Sequence, residues 1–330
     1  MSLQTLEVIG YIITGIIVFL FGITIGSFLN VCIYRLPKGE SLIKRNSHCM
    51  TCGTEIKRYD LIPILSWLLL RGKCRACGAK ISPRYMLVES LTGVMFVLAM
   101  IRYDIIQYGF YFVILCLFFA GLIVICFEDF DTQNMSVSVL IYLFAVAGIE
   151  RIIRIISPDS IRYEEVSLSD ALIGTVSVSV PFLIFGFVIT PLVYSLFVSE
   201  DHKSARKLKN RISRMKKEKA SDKEIEKIQK ILDKHLDNIK EAGPVYGFGM
   251  GDIILMAAGG LLLGWKASIV AAFAAIIIGA VYGLIRKHFD KGESNAFAFG
   301  PFLTIGLAFA AFFGNYIFNA YVDFITVPKV

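Results

Sequence analysis

Long apolar runs separated by polar segments dominate the pattern of residues along this chain. A run of about 20 apolar residues is what an α-helix needs to cross the hydrocarbon core of a bilayer. One such run alone is also compatible with a buried helix of a soluble protein, but many in succession favour a membrane protein. We identify eight candidate spans, at 8–30, 85–101, 105–127, 135–150, 171–198, 252–265, 267–285 and 296–320. The pattern therefore predicts an all-α polytopic membrane protein with about eight transmembrane helices.

Lysine and arginine residues are distributed unevenly among the polar segments, and their placement predicts an orientation. If the N-terminus lies outside, the segments that face the cytoplasm hold 28 of the 34 Lys and Arg residues. Cytoplasmic loops of membrane proteins carry such an excess of positive charge. The net charge of +7 is therefore mainly a topology signal, and it favours contact with anionic lipid headgroups. We expect no nucleic acid partner from it.

The polar and apolar segments together divide the chain into five predicted parts. These are a first transmembrane helix (1–34), a cytoplasmic cysteine-rich domain (35–84), transmembrane helices 2–5 (85–198), a charged cytoplasmic helical hairpin (199–243) and transmembrane helices 6–8 (244–330). Apolar residues repeat at helical spacing in both halves of the charged segment, which predicts two helices with facing apolar stripes. We interpret this hairpin as a solvated spacer or an oligomer contact, without chemistry of its own.

Two pairs of cysteines in the 35–84 segment predict a zinc site. Cys49 and Cys52 form one C-x2-C pair and Cys74 and Cys77 form another, with 21 residues between the pairs. Each pair can present two thiolates to one tetrahedral ion, which is the usual arrangement of a structural zinc site. Two disulfides or four free thiols are the alternatives, and a cytoplasmic location argues against disulfides. The apolar stretch LIPILSWLLL (61–70) is too short to cross a bilayer and is typical of a segment that dips into its surface.

Acidic residues at the edge of apolar spans are the second chemical feature. The stretch FEDFDTQN (127–134) carries Glu128, Asp129 and Asp131, and GMGD (249–252) carries Asp252 at the mouth of another span. The predicted topology puts both stretches at the cytoplasmic face. Two carboxyl groups that meet in a semi-dry pocket share one proton, so one can accept a proton from water while the other donates to a carbonyl oxygen. Asp252 as a simple helix cap, and the other acids as loop-end residues, are the alternatives.

These features resemble, in order along residues 26–306, the bacterial type IV prepilin peptidases, which are membrane-embedded aspartic proteases. The stretches that carry the resemblance are GSFLNVCIYRLP (26–37), the double C-x2-C loop with LIPILSWLLLRGKCRACGAKISPRY (61–85), FEDFDTQ (127–133), GMGD (249–252) and AFGPFLTIG (298–306). The resemblance implies that Asp129 and Asp252 are the catalytic pair, with the choice of Asp129 over Asp131 depending on the alignment. It also implies prepilin or type II secretion pseudopilin substrates, cut at the cytoplasmic face of the bacterial inner membrane.

The same resemblance implies a second activity, N-methylation of the new N-terminus with S-adenosylmethionine as methyl donor, associated with the cysteine-rich domain. No glycine-rich nucleotide loop in the sequence identifies the donor's binding site. Four other functions remain open at this point: a peptidase without methyl transfer, a different protease with a G-x-G-D motif, an acid-lined channel or transporter, and a membrane-tethered zinc regulator. The zinc-type loop and the AFGPFL stretch argue against the second of these. The position of the acids at one face and away from the midplane argues against the third.

Overall fold

A computed structural model describes residues 2–44, 46–156, 166–217, 222–241, 248–289 and 298–326 of the chain. The described residues are helical, with two isolated β-bridges in the cysteine-rich segment, between His48 and Glu55 and between Lys73 and Lys80. The helices are α1 (Leu3–Arg35), α2 (Leu65–Leu69), α3 (Arg84–Arg102), α4 (Ile105–Thr132), α5 (Val137–Ile156), α6 (Leu168–Ser177), α7 (Ser179–Ile184), α8 (Thr190–Lys217), α9 (Asp222–Glu241), α10 (Met250–Phe289) and α11 (Gly300–Thr326). This confirms the predicted all-α architecture.

Six helical stretches of the described residues are long and apolar enough to cross a membrane by length and composition. They are Gln4–Lys38, Arg84–Arg102, Ile105–Thr132, Leu168–Leu192, Met250–Arg286 and Gly300–Thr326. Two differences from the eight predicted spans have physical reasons. Helix α5 carries Glu150, Arg151 and Arg154 in its second half, and these charges exclude it from the helices that are apolar enough to cross a membrane. The predicted spans 252–265 and 267–285 belong to one helical element, α10, which is interrupted at Gly264.

The interruption of α10 is stabilised by a side chain from α5. Gly264 has a positive φ of 79° with ψ 175°, a conformation that favours glycine, and the interruption lies two residues after the carbonyl of Leu262. The guanidinium of Arg151 donates to that carbonyl at 2.7 Å and to the carbonyl of Val166 at 2.7 Å. Glu150 forms ion pairs at 2.7 Å with Arg151 and with Arg154, so the buried positive charge has a partner.

The chain divides into two compact units. One comprises Met1–Ser179 with Ile254–Val330, and the other is Val180–Ile253. The second unit contains the charged helices α8 and α9, which pack through a small apolar core of Ala205, Ile212 and Leu232. Leu208, Ile225 and Ile228 flank that core, so the facing stripes predicted from helical spacing form the contact. Residues 218–221 and 242–247, which belong to the predicted hairpin and the segment after it, lie outside the described residues.

Within the first unit, α1 and α3 approach closely because both carry glycine at the crossing. A Cβ atom on Gly22 would lie 2.7 Å from Cα of Gly93, and one on Gly26 would lie 2.7 Å from Cα of Glu89. Gly22 and Gly26 form a G-x-x-x-G pattern, which brings helix backbones together where lipid offers no hydrophobic driving force. This contact fixes α3, the helix that connects the cysteine-rich segment to the transmembrane helices.

Substitution of Gly22 tests this contact. We expect Gly22→Ala to destabilise the protein by about 1–3 kcal/mol, because the new methyl group meets backbone that cannot rotate away. Gly10→Ala, in the same helix but with nothing within 4 Å of the added carbon, is the matched control and should be neutral or slightly stabilising. Thermal unfolding of the purified variants in detergent measures both, and equal stability of the two variants would contradict the proposed close contact.

Candidate functional site

The acidic stretch lies in the last turn of α4, and its main chain is held by the end of that helix. Gln133 adopts a left-handed conformation (φ 52°, ψ 31°), and its N–H donates to the carbonyl of Asp129 at 2.8 Å. The Thr132 hydroxyl donates to the carbonyl of Glu128 at 2.9 Å. These bonds satisfy carbonyls that the end of a helix otherwise leaves open. The acids therefore project from a fixed backbone and not from a loop.

The three acids of this stretch have different environments. Asp129 is buried, and its Oδ2 accepts a hydrogen bond of 2.9 Å from the N–H of Gly300, the first residue of α11. Glu128 is also buried and accepts from the hydroxyl of Ser136. Asp131 is exposed and pairs with the guanidinium of Arg84, whose Nη1 lies 2.7 Å from Oδ1. Asp131 is thus a partner of a surface arginine, whereas Asp129 is the buried acid that contacts the start of another helix.

Asp252 occupies the first turn of α10 and is buried. Its Oδ2 accepts a hydrogen bond of 2.9 Å from the N–H of Gly249, the residue that precedes the helix. A carboxylate three residues into a helix that reaches back to the preceding N–H is half of a capping box. The capping alternative therefore describes one contact of Asp252. Asp129 and Asp252 belong to different compact units, and their pairing stays a prediction.

The four predicted cysteine ligands lie together. The Sγ atoms of Cys49, Cys52, Cys74 and Cys77 are all within 4.8 Å of one another, and those of Cys49 and Cys77 are 3.9 Å apart. Tetrahedral coordination with metal–sulfur bonds of about 2.3 Å places sulfur atoms roughly 3.8 Å apart, so the cluster has the size of a four-thiolate metal site. This confirms that the cysteines converge as the sequence predicted and that they could hold a metal ion such as zinc.

Each cysteine pair is presented by the same backbone turn. The N–H of Gly53 donates to the carbonyl of Cys49 and that of Gly78 to the carbonyl of Cys74, both at 2.9 Å. Both glycines have a positive φ, of 71° and 70°, which explains why glycine follows each C-x2-C pair. The two knuckles are therefore equivalent halves that face one another, as a shared metal ion requires.

Backbone hydrogen bonds and neighbouring thiols make the sulfur atoms of this cluster unequal. The N–H groups of Cys52 and Thr51 lower the pKa of Cys49 to about 6. The N–H of Ala79 lowers the pKa of Cys77, but contact with the Cys52 thiol and partial desolvation raise it to about 11. Four thiolates at this spacing repel one another, so full deprotonation requires a cation, and a bound divalent metal supplies that charge.

Polar contacts organise the cysteine-rich segment and the helices beside it. Glu89 of α3 accepts a 2.7 Å hydrogen bond from the N–H of Ile64, a residue with positive φ (61°) just before α2. The Asn30 amide donates to the carbonyl of Tyr85 at 3.0 Å. Arg75 beside the second knuckle donates two hydrogen bonds, of 2.7 and 2.8 Å, to Asp60. Glu89 thus holds the segment on α3, Asn30 links α1 to the first turn of α3, and the Arg75–Asp60 pair connects two parts of the segment itself.

Sequence reasoning missed the role of one residue. Gly300 lies in the AFGPFLTIG stretch that carries part of the family resemblance, but nothing in the local pattern connects it with Asp129, which lies 171 residues earlier. Only the folded structure brings the start of α11 against the end of α4. The glycine–proline pair at the start of an apolar span was the available signal, since such a pair marks a helix start and a place of close approach.

Comparison with protein families divides the chain into two matched regions. Residues 20–103 match the family model described as the bacterial peptidase A24 N-terminal domain. Residues 116–284 match the model described as the type IV leader peptidase family. The first region contains the four cysteines, and the second contains Asp129 and Asp252. No solved structure matches the chain.

Several curated relatives of the chain carry the description prepilin leader peptidase/N-methyltransferase. The protein from Neisseria gonorrhoeae is 29% identical over 86% of this chain and 85% of its own length. The protein from Myxococcus xanthus (strain DK1622) is 46% identical, but the match spans 27% of each chain. For the protein from Dichelobacter nodosus the values are 38% identity, 34% of this chain and 48% of the relative. The matched part of the chain thus spans about a quarter of the length of the Myxococcus xanthus protein and about half that of the Dichelobacter nodosus protein.

Metal analysis tests the cysteine cluster. We expect about one tightly bound metal ion per purified chain, because four convergent thiolates form one complete tetrahedral site. The double variant Cys49→Ser and Cys74→Ser removes one ligand from each knuckle and should lose the metal. Cys116→Ala, a buried cysteine outside the cluster, is the control and should keep it. Metal-free protein with an intact fold would contradict this assignment.

Proposed function

Because the chain belongs to the type IV leader peptidase family, we propose that it removes the basic leader peptide from type IV prepilins or type II secretion pseudopilins and then methylates the new N-terminus. The observation that carries this proposal is the match of that family over residues 116–284. The description of the relatives as prepilin leader peptidase/N-methyltransferase supports both activities. We propose the bacterial inner membrane as its location, with the reacting groups at the cytoplasmic face, on the basis of the Lys and Arg distribution.

In the proposed cleavage, Asp129 and Asp252 act as an acid–base pair. The ionised carboxylate takes a proton from a water molecule, whose oxygen attacks the carbonyl carbon of the peptide bond that follows the leader's terminal glycine. The protonated partner donates its proton to the carbonyl oxygen, which gives a neutral tetrahedral intermediate. Its collapse breaks the C–N bond. A hydroxyl proton of the intermediate returns to the pair, and the pair gives a proton to the nitrogen of the leaving amine. The pair thus ends with the single shared proton with which it began.

The burial of the two acids supports this assignment. Each is buried, and each has a carboxylate oxygen that accepts a hydrogen bond from a backbone N–H, from Gly300 for Asp129 and from Gly249 for Asp252. A fixed oxygen orients a carboxyl group, which an acid–base role requires. Asp131 has neither feature, because it is exposed and paired with Arg84. We therefore assign the role to Asp129 and not to Asp131.

We propose that the cysteine cluster binds zinc as a structural ion. The donor set of four thiolates and the matched pair of knuckles fit zinc, and the ion would be held by Cys49, Cys52, Cys74 and Cys77. Its contribution would be to link the two knuckles. S-adenosylmethionine supplies the methyl group for the second activity, and the amine released by cleavage is the acceptor. Both activities therefore use one chain end of the substrate in succession.

Anionic lipid is the remaining partner that we propose, at the apolar stretch between the knuckles. Five of its side chains are between 41% and 72% exposed, namely Leu61, Ile62, Leu65, Leu68 and Leu69. Lys57, Arg58, Arg71 and Lys73 flank the stretch. Exposed leucines next to basic residues are typical of a segment that inserts into the headgroup region of an anionic bilayer.

Substitution of the acids tests the proposed cleavage. We expect Asp129→Asn and Asp252→Asn each to abolish leader removal, since an amide can neither accept the proton of water nor return it. Asp131→Asn, which changes a neighbouring acid, should retain cleavage. Mass spectrometry of a prepilin incubated with S-adenosylmethionine reports leader loss and methyl gain together. The Asn variants should still methylate a substrate that has already been cut. Leader removal at the normal rate by either variant would disprove the assignment.

Fluorescence tests the lipid contact. The chain has two tryptophans, so Trp265→Phe leaves Trp67 in α2 as the only reporter. In vesicles with anionic headgroups, brominated lipids should quench Trp67, because α2 lies at the bilayer surface. Replacing Leu68 and Leu69 with serine should reduce that quenching several-fold. Equal quenching with and without these leucines would remove the proposed contact.

A further inference from the structure

The start of α11 offers a single outward hydrogen-bond donor, and Asp129 accepts it. Pro301 follows Gly300 and has no N–H, and the N–H of Phe302 bonds to the carbonyl of Phe299 at 3.1 Å. The Gly300 N–H donates to Oδ2 of Asp129 at 2.9 Å, and both residues are buried. An unfilled N–H at a buried helix start is costly, so this bond also satisfies α11.

No side chain fits at position 300. A Cβ atom there would lie 2.5 Å from Oδ2 and 2.9 Å from Cγ of Asp129, and closer still to the methyl group of Met135. The methionine side chain is flexible and can move. The carboxyl group has less freedom, because the main chain of Asp129 is fixed by the hydrogen bond from Gln133 at the end of α4. An added methyl group at position 300 therefore displaces the carboxyl group from its donor.

We propose that Gly300 is a positioning residue for the cleavage reaction: its N–H fixes one carboxylate oxygen of Asp129, and its missing side chain leaves that carboxylate in place. This inference rests on the proposed function, since it assumes that Asp129 is a reacting acid. The oxygen held by Gly300 sets the direction of the other oxygen, which is the one that must meet water or the substrate carbonyl. A displacement of about 1 Å at a reacting group can cost about 100-fold in rate.

Gly300→Ala separates positioning from simple packing. We expect kcat for leader removal to fall about 10- to 100-fold with KM changed less than about twofold, because substrate binding does not depend on the direction of one carboxylate. Methyl transfer to a substrate that has already been cut should be unchanged. Gly148→Ala, in α5 with open space around the added carbon, is the matched control and should leave both activities unchanged.

A double variant shows whether the crowding of Met135 or the displacement of Asp129 is responsible. Met135→Ala removes the methyl group nearest to the new Cβ atom but leaves the contact with Asp129. If the carboxylate position matters, Gly300→Ala in the Met135→Ala background keeps the low kcat, while only the part of the stability loss caused by crowding of Met135 is recovered. If Gly300→Ala alone does not accumulate in membranes, kcat of the double variant is compared with kcat of Met135→Ala instead.

Three results would overturn the inference. They are an unchanged kcat in Gly300→Ala, restoration of kcat by Met135→Ala, and an equal loss of methyl transfer on the precut substrate. Failure of the proposed function is distinct from all three, because in that case the unsubstituted chain itself would not cleave a prepilin. A wild-type enzyme that cleaves, beside a Gly300→Ala variant that cleaves equally well, would contradict the role of Gly300 alone.

Discussion

The constraint on which this structure depends is that backbone polar groups within a bilayer must find partners inside the protein. An uninterrupted helix satisfies most of its backbone groups by itself, but α10 is interrupted at Gly264. Side chains from elsewhere in the chain donate to backbone carbonyls of two helices in the first compact unit. Arg151 donates to Leu262 at the interruption of α10, and the Tyr103 hydroxyl donates to the carbonyl of Ala311 in α11 at 2.7 Å. Polar side chains in the first compact unit are therefore structural groups of the helix bundle.

The same constraint gives the proposed reacting acid its position. A buried carboxyl group without a donor is expensive, and so is a buried N–H without an acceptor. Asp129 and Gly300 satisfy one another, so the bond that stabilises the start of α11 is also the bond that orients the acid. A site built in this way needs no extra residues for positioning, because two structural needs coincide. It also means that the acid cannot be moved without disturbing a helix end.

Much of this architecture could be predicted from the sequence, because its strongest signals are local. Apolar runs predicted the helices, and two C-x2-C pairs followed by glycine predicted the cysteine cluster. The remaining features depend on contacts between residues far apart in the chain. The interruption at Gly264 is stabilised by Arg151, more than a hundred residues earlier, and no local pattern distinguishes that arginine from an interfacial anchor. The environments of Asp129 and Asp131 likewise differ only through α11 and Arg84.

The contacts of Arg84 suggest why two activities would share one chain. This arginine begins α3 directly after the cysteine-rich segment, and it donates both to Asp131 and, at 3.1 Å, to the carbonyl of Phe127. Those two residues flank Asp129 along α4. Glu89, one turn further along α3, accepts from Ile64 within the cysteine-rich segment. One helix thus braces the cysteine knuckles on one side and the acidic stretch on the other. Under the proposed function, the acid assigned to cleavage and the cysteine cluster thus lie in one compact unit, connected through α3.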